Sequence, residues 1–590
     1  MGRPGTTALS CIVALMTLPA LAANSPVPEK AWITESNANT RPLIDIEQQH
    51  NPESGSQEGL AAYDEKISVP TLADELAERH ELEAALAKLK TNQSSQTDKL
   101  VLQDLEILQK AFNIRFRTQD YALAHKVPFL NASQLVYQGL RTLLDDQVAE
   151  ERRPAALVRL RRYTGAESGF KAFTELLKQR TTDQMAKPGV IYPSRLKIET
   201  DLGRDANYVD GIADLFRKYK LQGWEPAYAA LKDQLASYDQ WVRDNLLPKA
   251  RTDFRLPPEE YKLALERYGV DLPPEQLTAM AHAAFAETQS KMAAIAAQIA
   301  KANGYASSDY RGVIHELKKK QITGTDIVPF YENRLHEIER IITANNLVTL
   351  PNRPAIIRLA TAAETAAEPA AHMSPPPLVH NTGERGQFVL PLKIPSEHGG
   401  AADQYDDFTV DAVAWTLTAH EARPGHELQF DSMIENGVSL ARVLYAFNST
   451  NVEGWGLYSE YIMEPYEPLE GQLFTLQLRM LRDARAFLDP ELQSGKVTPE
   501  QAYAVLENDV VISHAFAKEE VERFTIRTPG QANSYFYGYT RLLALRKEVE
   551  SAQGAAFNPK QFHDFILSQG LLPPDLLRKA VLARFGSQQH

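Results

Sequence analysis

The segment His420-Glu421-Ala422-Arg423-Pro424-Gly425-His426 sets two imidazoles and a carboxylate close together in the chain. Neutral imidazole is the commonest protein ligand for a transition metal, and a carboxylate beside the first histidine is placed to take a proton from water. The familiar zinc-hydrolase spacing is H-E-x-x-H, in which the two histidines lie about 40° apart on one helix face. Here the second histidine comes six residues after the first, about 240° round an unbroken helix and on the wrong face. Pro424 alters that geometry, because it cannot donate to the carbonyl of His420 and its ring clashes there. Gly425 accepts dihedrals that other residues refuse. The spacing therefore predicts a two-residue bulge at Pro424-Gly425 that returns His426 to the face of His420. Residues 411–418 (DAVAWTLT) read as the last turns of an apolar helix leading into the motif. The plainer alternative is a helix end with incidental histidines.

A tetrahedral catalytic zinc takes three protein ligands and keeps one position open. Glu453, within residues 451–458 (NVEGWGLY), follows His426 by about one helix, a turn and the start of a second helix. It is the candidate third ligand. It also has another reading, since Thr450-x-x-Glu453 is the spacing of a capping box, which would engage the carboxylate with a backbone N–H.

Four stretches, HEARPGHELQ, VEGWGLYSE, PGQANSYFYG and FHDFILSQGLLP, together resemble the bacterial family known as domain of unknown function 885. The pattern of that family is H-E-x-x-P-G-H-x-x-Q, E-G-W-x-L-Y-x-E, P-G-Q-A-x-S-Y-x-x-G and F-H-x-x-L-x-x-G-x-x-P. The resemblance runs from about residue 70 to the chain end. The family is similar to helical zinc metallopeptidases such as the thimet-oligopeptidase and thermostable-carboxypeptidase groups, so the resemblance implies a zinc peptidase fold. Tyr535 and Gly538 fall where the pattern has its Tyr and Gly. Tyr535 is a candidate donor to the oxyanion of a tetrahedral intermediate; the alternative is a tyrosine on a buried helix face. Arg523 and Arg527 are candidates for gripping a peptide carboxylate, which suits a guanidinium fork, with packing or surface arginines as the alternative. Arg546, His514 and His563 read as structural.

The elements that must position these residues are mostly helices. Apolar residues recur at helical spacing from residue 72 onwards, and 274–303 is a long Ala-rich helix whose stripe reads as core. Residues 360–377, rich in Ala, Glu and Pro, read as a connection between lobes. Residues 387–394 form the best strand candidate, bounded by Gly386 and Pro395. Such a strand before a metal helix can offer its edge to an extended substrate, although Pro391 removes one backbone donor there, and the chain departs near this point from the family pattern, which usually has an Asn. The expected fold is mainly α: a two-lobed, helical, metallopeptidase-like fold with a central cleft and a few short strands. The expected division is a signal peptide at 1–22, a flexible arm at 23–69, an N-terminal helical lobe at 70–372 and a zinc-binding catalytic lobe at 373–590.

Residues 1–22 carry Arg3, an uncharged run at 6–18 and an Ala20-Leu21-Ala22 site, so cleavage is expected after Ala22. A membrane anchor fits less well, because the apolar run is short and Pro19 breaks it. Cys11 is the single cysteine and lies inside the apolar run without a lipobox. The mature chain then has no disulfide, thiolate ligand or cysteine nucleophile. The expected location is periplasmic or secreted, with no membrane insertion after cleavage. A net charge of −13 over 590 residues argues against nucleic acid as a partner. The Lys318–Lys320 run reads as a solvated helix face. No G-x-S-x-G elbow and no Gly-rich phosphate loop is present.

The residues together predict a Zn2+-dependent hydrolase of peptide bonds, acting on short peptides as a carboxypeptidase or oligopeptidase. Glu421 would be its base and His420, His426 and Glu453 its metal ligands. The rivals are a zinc amidase acting on a non-peptide or cell-wall amide, and a non-catalytic protein with a structural metal, which would have no use for Glu421. The sequence leaves the oligomeric state open.

Overall fold

The computed structural model describes residues 30–322, 324–394 and 403–586. The predicted cleavage site after Ala22 lies outside them. The protein is mainly α-helical, with a few short strands. No helix among the described residues is long and apolar enough to cross a membrane.

The expected loose arm at 23–69 is largely structured. Helix Ala31–His50 buries Ile33, Leu43 and Ile44 together with Ser36, Thr40 and Gln48. Half of that inward face is polar, which is why no apolar period shows in the sequence. Its polar members find buried partners: Ser36 donates to Asp104 at 2.6 Å, and the same aspartate accepts from Arg442 Nε at 2.7 Å. Leu43 packs with Leu82, Leu105, Phe112 and Ala441. The N-terminal helix is thereby fastened to the segment that precedes Glu453.

A first helical core runs from Ile67 to Leu246 and takes in Ala363 and Ala366. The largest core runs from Tyr261 to Tyr537. Helix Pro274–Asn303, with the predicted bounds, lies along helix Leu469–Ser494, and Thr288 donates to the buried Asp483 across them at 2.8 Å. Residues on both sides of the expected boundary at 372/373 share this largest core. The Ala- and Pro-rich stretch is no linker. Helix Ala362–Ala367 begins with a capping box between Thr361 and Glu364 and packs its Ala363 and Ala366 inward. Lys318 is also not on a solvated face: it is buried, donating to Asp407 at 2.6 Å and to Asp406 at 2.9 Å.

Three strands form a small sheet: β1 (Ile356–Leu359), β2 (His372–Ser374) and β3 (Gln387–Leu390), in the order β1-β3-β2. β1 runs parallel to β3 and β2 antiparallel to it. All four residues of β3 are buried. The predicted strand 387–394 is thus two strands, β3 and β4 (Lys393–Ile394), interrupted at Pro391, and β4 pairs instead with β5 (Asp403–Gln404). Proline offers no N–H to a ladder, so pairing stops there. The expected substrate edge moves accordingly. β3 is central; among the described residues β2 is an outer strand of this sheet, and its His372 and Met373 line the cavity described below.

Two helices cross in backbone contact behind the motif. On helix Asn533–Gln553, a Cβ at Gly538 would lie 2.0 Å from the Thr450 carbonyl oxygen. On helix Ser449–Met463, a Cβ at Gly454 would lie 2.8 Å from Gly538 Cα. Only glycine fits at either place, and the close crossing aligns Tyr535 with Glu453 over one space.

Candidate metal centre

Helix Val413–Leu417 widens into a π turn at Thr418–Ala422. Arg423 is extended, and a new helix starts at His426. The break at Pro424-Gly425 is therefore a full restart of the helix, where a bulge in a continuous one was expected. It achieves the same juxtaposition, with the rings of His420 and His426 4.6 Å apart at 84°. A side chain at 425 is impossible, because its Cβ would fall 1.8 Å from the His420 carbonyl oxygen. Trp455 Nε1 donates to the Pro424 carbonyl at 2.9 Å. The buried Arg423 guanidinium holds the turn from the other side, donating to Glu427 at 2.7 Å, to Glu339 at 2.6 Å and to the Arg353 carbonyl.

Glu453 lies just past the first turn of its helix and does not cap it. The N-cap is Asn448, whose side chain accepts from the Asn451 N–H at 2.8 Å. Glu453 Oε2 instead stands 3.5 Å from His420 Nε2 and 3.4 Å from His426 Nε2. Ligand atoms about 2.0–2.1 Å from a tetrahedral zinc sit about 3.3 Å from one another, so the two edges that run to Glu453 already match those of such a site. Glu453 Oε2 and His426 Nδ1 are buried with no hydrogen-bond partner, a cost that an ion at this position would offset at the carboxylate. Burial acts to raise the Glu453 pKa, yet the two imidazoles outweigh it and hold the carboxyl far below its usual range. Burial likewise disfavours charge on His420, but Glu453 and Glu460 push its pKa up to about 9. His420, His426 and Glu453 are the cluster among the described residues able to hold a metal.

Glu460 is the residue that sequence reasoning passed over. It is fully buried, and its Oε1 meets His420 Nδ1 at 2.7 Å. A carboxylate there fixes the proton on Nδ1 and leaves Nε2 free to ligate. Burial opposes its charge, but Arg482 and His420 keep its pKa low. The signal was present, since Glu460 closes the E-G-W-x-L-Y-x-E pattern. Seven residues beyond Glu453, it returns to within about 20° of the same face. Gly456 serves the same imidazole, because a Cβ there would lie 2.5 Å from His420 Cε1.

Glu421 is nearly buried, with Oε1 4.0 Å from His420 Nε2, and it faces the cavity beside the cluster without entering it. Tyr535 lies nearly parallel to the His420 ring at 6.4 Å and under the Arg485 guanidinium at 4.4 Å. Burial, then the Glu453 charge, raise its pKa above the ordinary tyrosine value. Its hydroxyl therefore keeps its proton and can donate.

These groups line one cavity of about 440 Å³. Phe430, Phe447 and Val452 supply apolar lining, β2 contributes His372 and Met373, and four arginines are present: Arg482, Arg485, Arg523 and Arg527. Both arginines named from the sequence are here. Arg523 is committed to Glu519 at 2.8 Å and Gln531 at 3.1 Å. Arg527 donates Nη2 to the Ala367 carbonyl at 2.5 Å and buries Nη1 unpartnered. Arg482 and Arg485 were missed, although Arg479, Arg482 and Arg485 recur at helical spacing. Arg485 is held by Glu520, with Nε at 2.6 Å from the carboxylate. His514, His563 and Arg546 stand apart from the cavity. His563 bridges the Leu347 carbonyl and the Tyr458 hydroxyl at 2.8 Å each, and Arg546 bonds Tyr458 and Glu550. His514 is exposed beside Glu507.

Fold and site together define a mainly helical protein with a buried cluster of two histidines and a glutamate beside a free carboxylate. The chain belongs to the family described as bacterial protein of unknown function (DUF885), which matches residues 52–581. No curated protein matches it. Two solved structures share the fold. One is a proposed lipoprotein of unknown function from Shewanella oneidensis, 21% identical, with a TM-score of 0.69 over 94% of this chain and 100% of that one. The other is a proposed lipoprotein from Colwellia psychrerythraea, 17% identical, with a TM-score of 0.73 over 94% of this chain and 99% of that one.

Proposed function

We propose that this chain is an exported, zinc-dependent peptidase of two-lobed architecture, acting on short peptides. The observation that carries the reading is the spacing of 3.4–3.5 Å between the Glu453 oxygen and the two imidazole nitrogens, with Glu421 beside them and outside the set. A structural metal site has no need of that fourth group. Export is supported by the sequence of residues 1–22 and by the description of both structural relatives as proposed lipoproteins.

His420, His426 and Glu453 would hold the ion, and Glu460 would keep the His420 ring in register. A zinc ion so held supplies Lewis acidity towards a carbonyl and lowers the pKa of a water molecule. Glu421 takes the proton from the attacking water and returns it to the leaving amine. The Tyr535 hydroxyl donates to the oxygen that becomes negative as the carbonyl turns tetrahedral. The outer strand β2 at the cavity wall accepts an extended peptide backbone as an added strand. Arg527, which lines the cavity and carries an unpartnered donor, binds a carboxylate.

Metal analysis of the purified protein, combined with digestion of an unbiased peptide mixture read by mass spectrometry, tests this reading. About one zinc per chain and metal-dependent cleavage are expected. Zinc without cleavage of any peptide would point to a non-peptide amide or to a binding role.

A further inference from the structure

Arg527 and Thr528 stand between two spaces. These two residues line both the cavity with the metal cluster and a second chamber of about 390 Å³. That chamber lies between the N-terminal helical core and the 525–529 segment. Its lining is basic: Lys126, Arg180, Lys197, Arg251, Arg267 and Arg527, against Glu260 as the one acidic residue lining it. In a chain of net charge −13, six cations against one anion in one concavity is not the composition of the rest of the surface.

Three of these cations have a carboxylate partner within 3 Å: Lys126 with Glu260, Arg180 with Glu75 and Lys197 with Asp201. Among the described residues, the others have no carboxylate that near. Arg251 donates to the carbonyls of Tyr192 at 2.9 Å and Arg255 at 2.6 Å. Arg267 donates to the Tyr268 hydroxyl at 2.9 Å. The carboxylate paired with Arg527 is Glu368, at 3.7 Å. Nη1 of Arg180 and Nη1 of Arg527 are buried without any hydrogen-bond partner. Guanidinium donors left unmade inside a protein are costly, and a carboxylate is the partner that best satisfies their fork.

We infer that the second chamber is a carboxylate subsite. It receives an acidic side chain or the free C-terminus of a peptide whose scissile bond lies at the His420–His426–Glu453 cluster. The inference rests on the peptidase reading for the identity of the ligand, and on Arg527 as the wall shared by the two spaces. The charge of the chamber selects acidic peptides among those that fit the cavity.

The test uses four fluorescein-labelled hexapeptides of one parent sequence. They end in Glu-Glu-Glu or Gln-Gln-Gln, each with a free or an amidated C-terminus. Binding is measured by anisotropy on the Glu421→Gln protein loaded with zinc, so that nothing is cleaved. The peptide bearing most carboxylates should bind at least roughly tenfold tighter than the uncharged one, as expected for charge-assisted hydrogen bonds. A dependence on Glu alone assigns a side-chain carboxylate; a dependence on the free terminus alone assigns the terminus; either supports the subsite. In the Arg251→Gln/Arg267→Gln background the difference should close. Should that double variant fail to fold, Arg267→Gln alone, at an exposed residue, should narrow it. Equal affinity for all four peptides overturns the inference, as does a folded double variant that discriminates like its parent. Cleavage of the same peptides by the unaltered protein is scored separately. Discrimination without any cleavage leaves the subsite standing and removes the peptidase reading. Cleavage with no discrimination does the reverse.

Discussion

His420 Nδ1 and Glu460 Oε1 are 2.7 Å apart, and Glu460 stands on the same helix as Glu453, which faces the other nitrogen of the same imidazole. One helix thus offers a candidate metal-ligating carboxylate and, two turns on, the carboxylate that would orient a second candidate ligand. The same Glu460 oxygen is also 3.2 Å from Arg482 Nη2, which balances its charge. Glu460→Gln keeps the shape and loses the charge that makes the imidazole a better ligand. Zinc affinity should fall by about 10–100-fold, read by competition with a chelator of known affinity. An unchanged affinity would make Glu460 a packing residue only.

Glu453 and Asn448 divide two tasks that the sequence left entangled. Glu453→Ala should lose zinc with little change in helix content, because the helix is capped by Asn448 and not by the glutamate. Asn448→Ala should show the opposite pattern, retaining zinc and losing about 1 kcal/mol of stability, the usual cost of an N-cap. Parallel metal analysis and denaturant unfolding of the two variants separates these effects. A Glu453→Ala protein that keeps its zinc would remove this residue from the ligand set.

The motif was legible in the sequence because its chemistry is local. Two histidines flanking a Pro-Gly break, with a glutamate beside the first, constrain one another whatever the rest of the chain does. Glu453 could be named as a candidate, but its rival role as a cap could be dismissed only once Asn448 was seen in the capping position. Helix 274–303 was visible through its period, whereas helix Ala31–His50 was hidden by Ser36 and Thr40 on its buried face. The order of the sheet was out of reach. β3 sits between β1 and β2 through contacts that follow no sequence period, so the outer edge was assigned to the wrong strand. The arginines of helix Leu469–Ser494 draw no assignment from sequence, because nothing there says that Glu460 and Glu520 lie opposite them.

His563 supplies a pH dependence unconnected with the metal. Burial pushes its pKa down to about 4 from an ordinary 6.5, with the Leu347 carbonyl opposing. The unfolded chain therefore binds this proton more readily than the folded one. The stability associated with neutral His563 is fully present above pH 6.5 and is lost as pH falls towards 4. The span amounts to something on the order of 3 kcal/mol. Denaturant unfolding of metal-free protein across this range should show a shallower loss for His563→Gln than for the parent. Identical slopes would mean that His563 titrates normally in the folded state.

Glu421→Gln bears most directly on the proposed chemistry. The carboxylate faces the cavity beside the cluster, 4.0 Å from His420 Nε2, and is not among the three residues whose ligand atoms converge. The amide keeps the size and hydrogen-bonding capacity of the side chain but cannot accept a proton from water. Zinc content and fold should therefore survive, while turnover of peptides falls by at least roughly 100-fold, the low end for loss of a positioned acid–base group. KM should move much less than kcat, because the missing interaction belongs to the transition state. Loss of zinc together with activity would show that Glu421 ligates the metal after all. Near-parental turnover would leave a metal site without a base, and the hydrolytic mechanism would have to be abandoned. Zinc content and turnover measured on a single preparation distinguish all three.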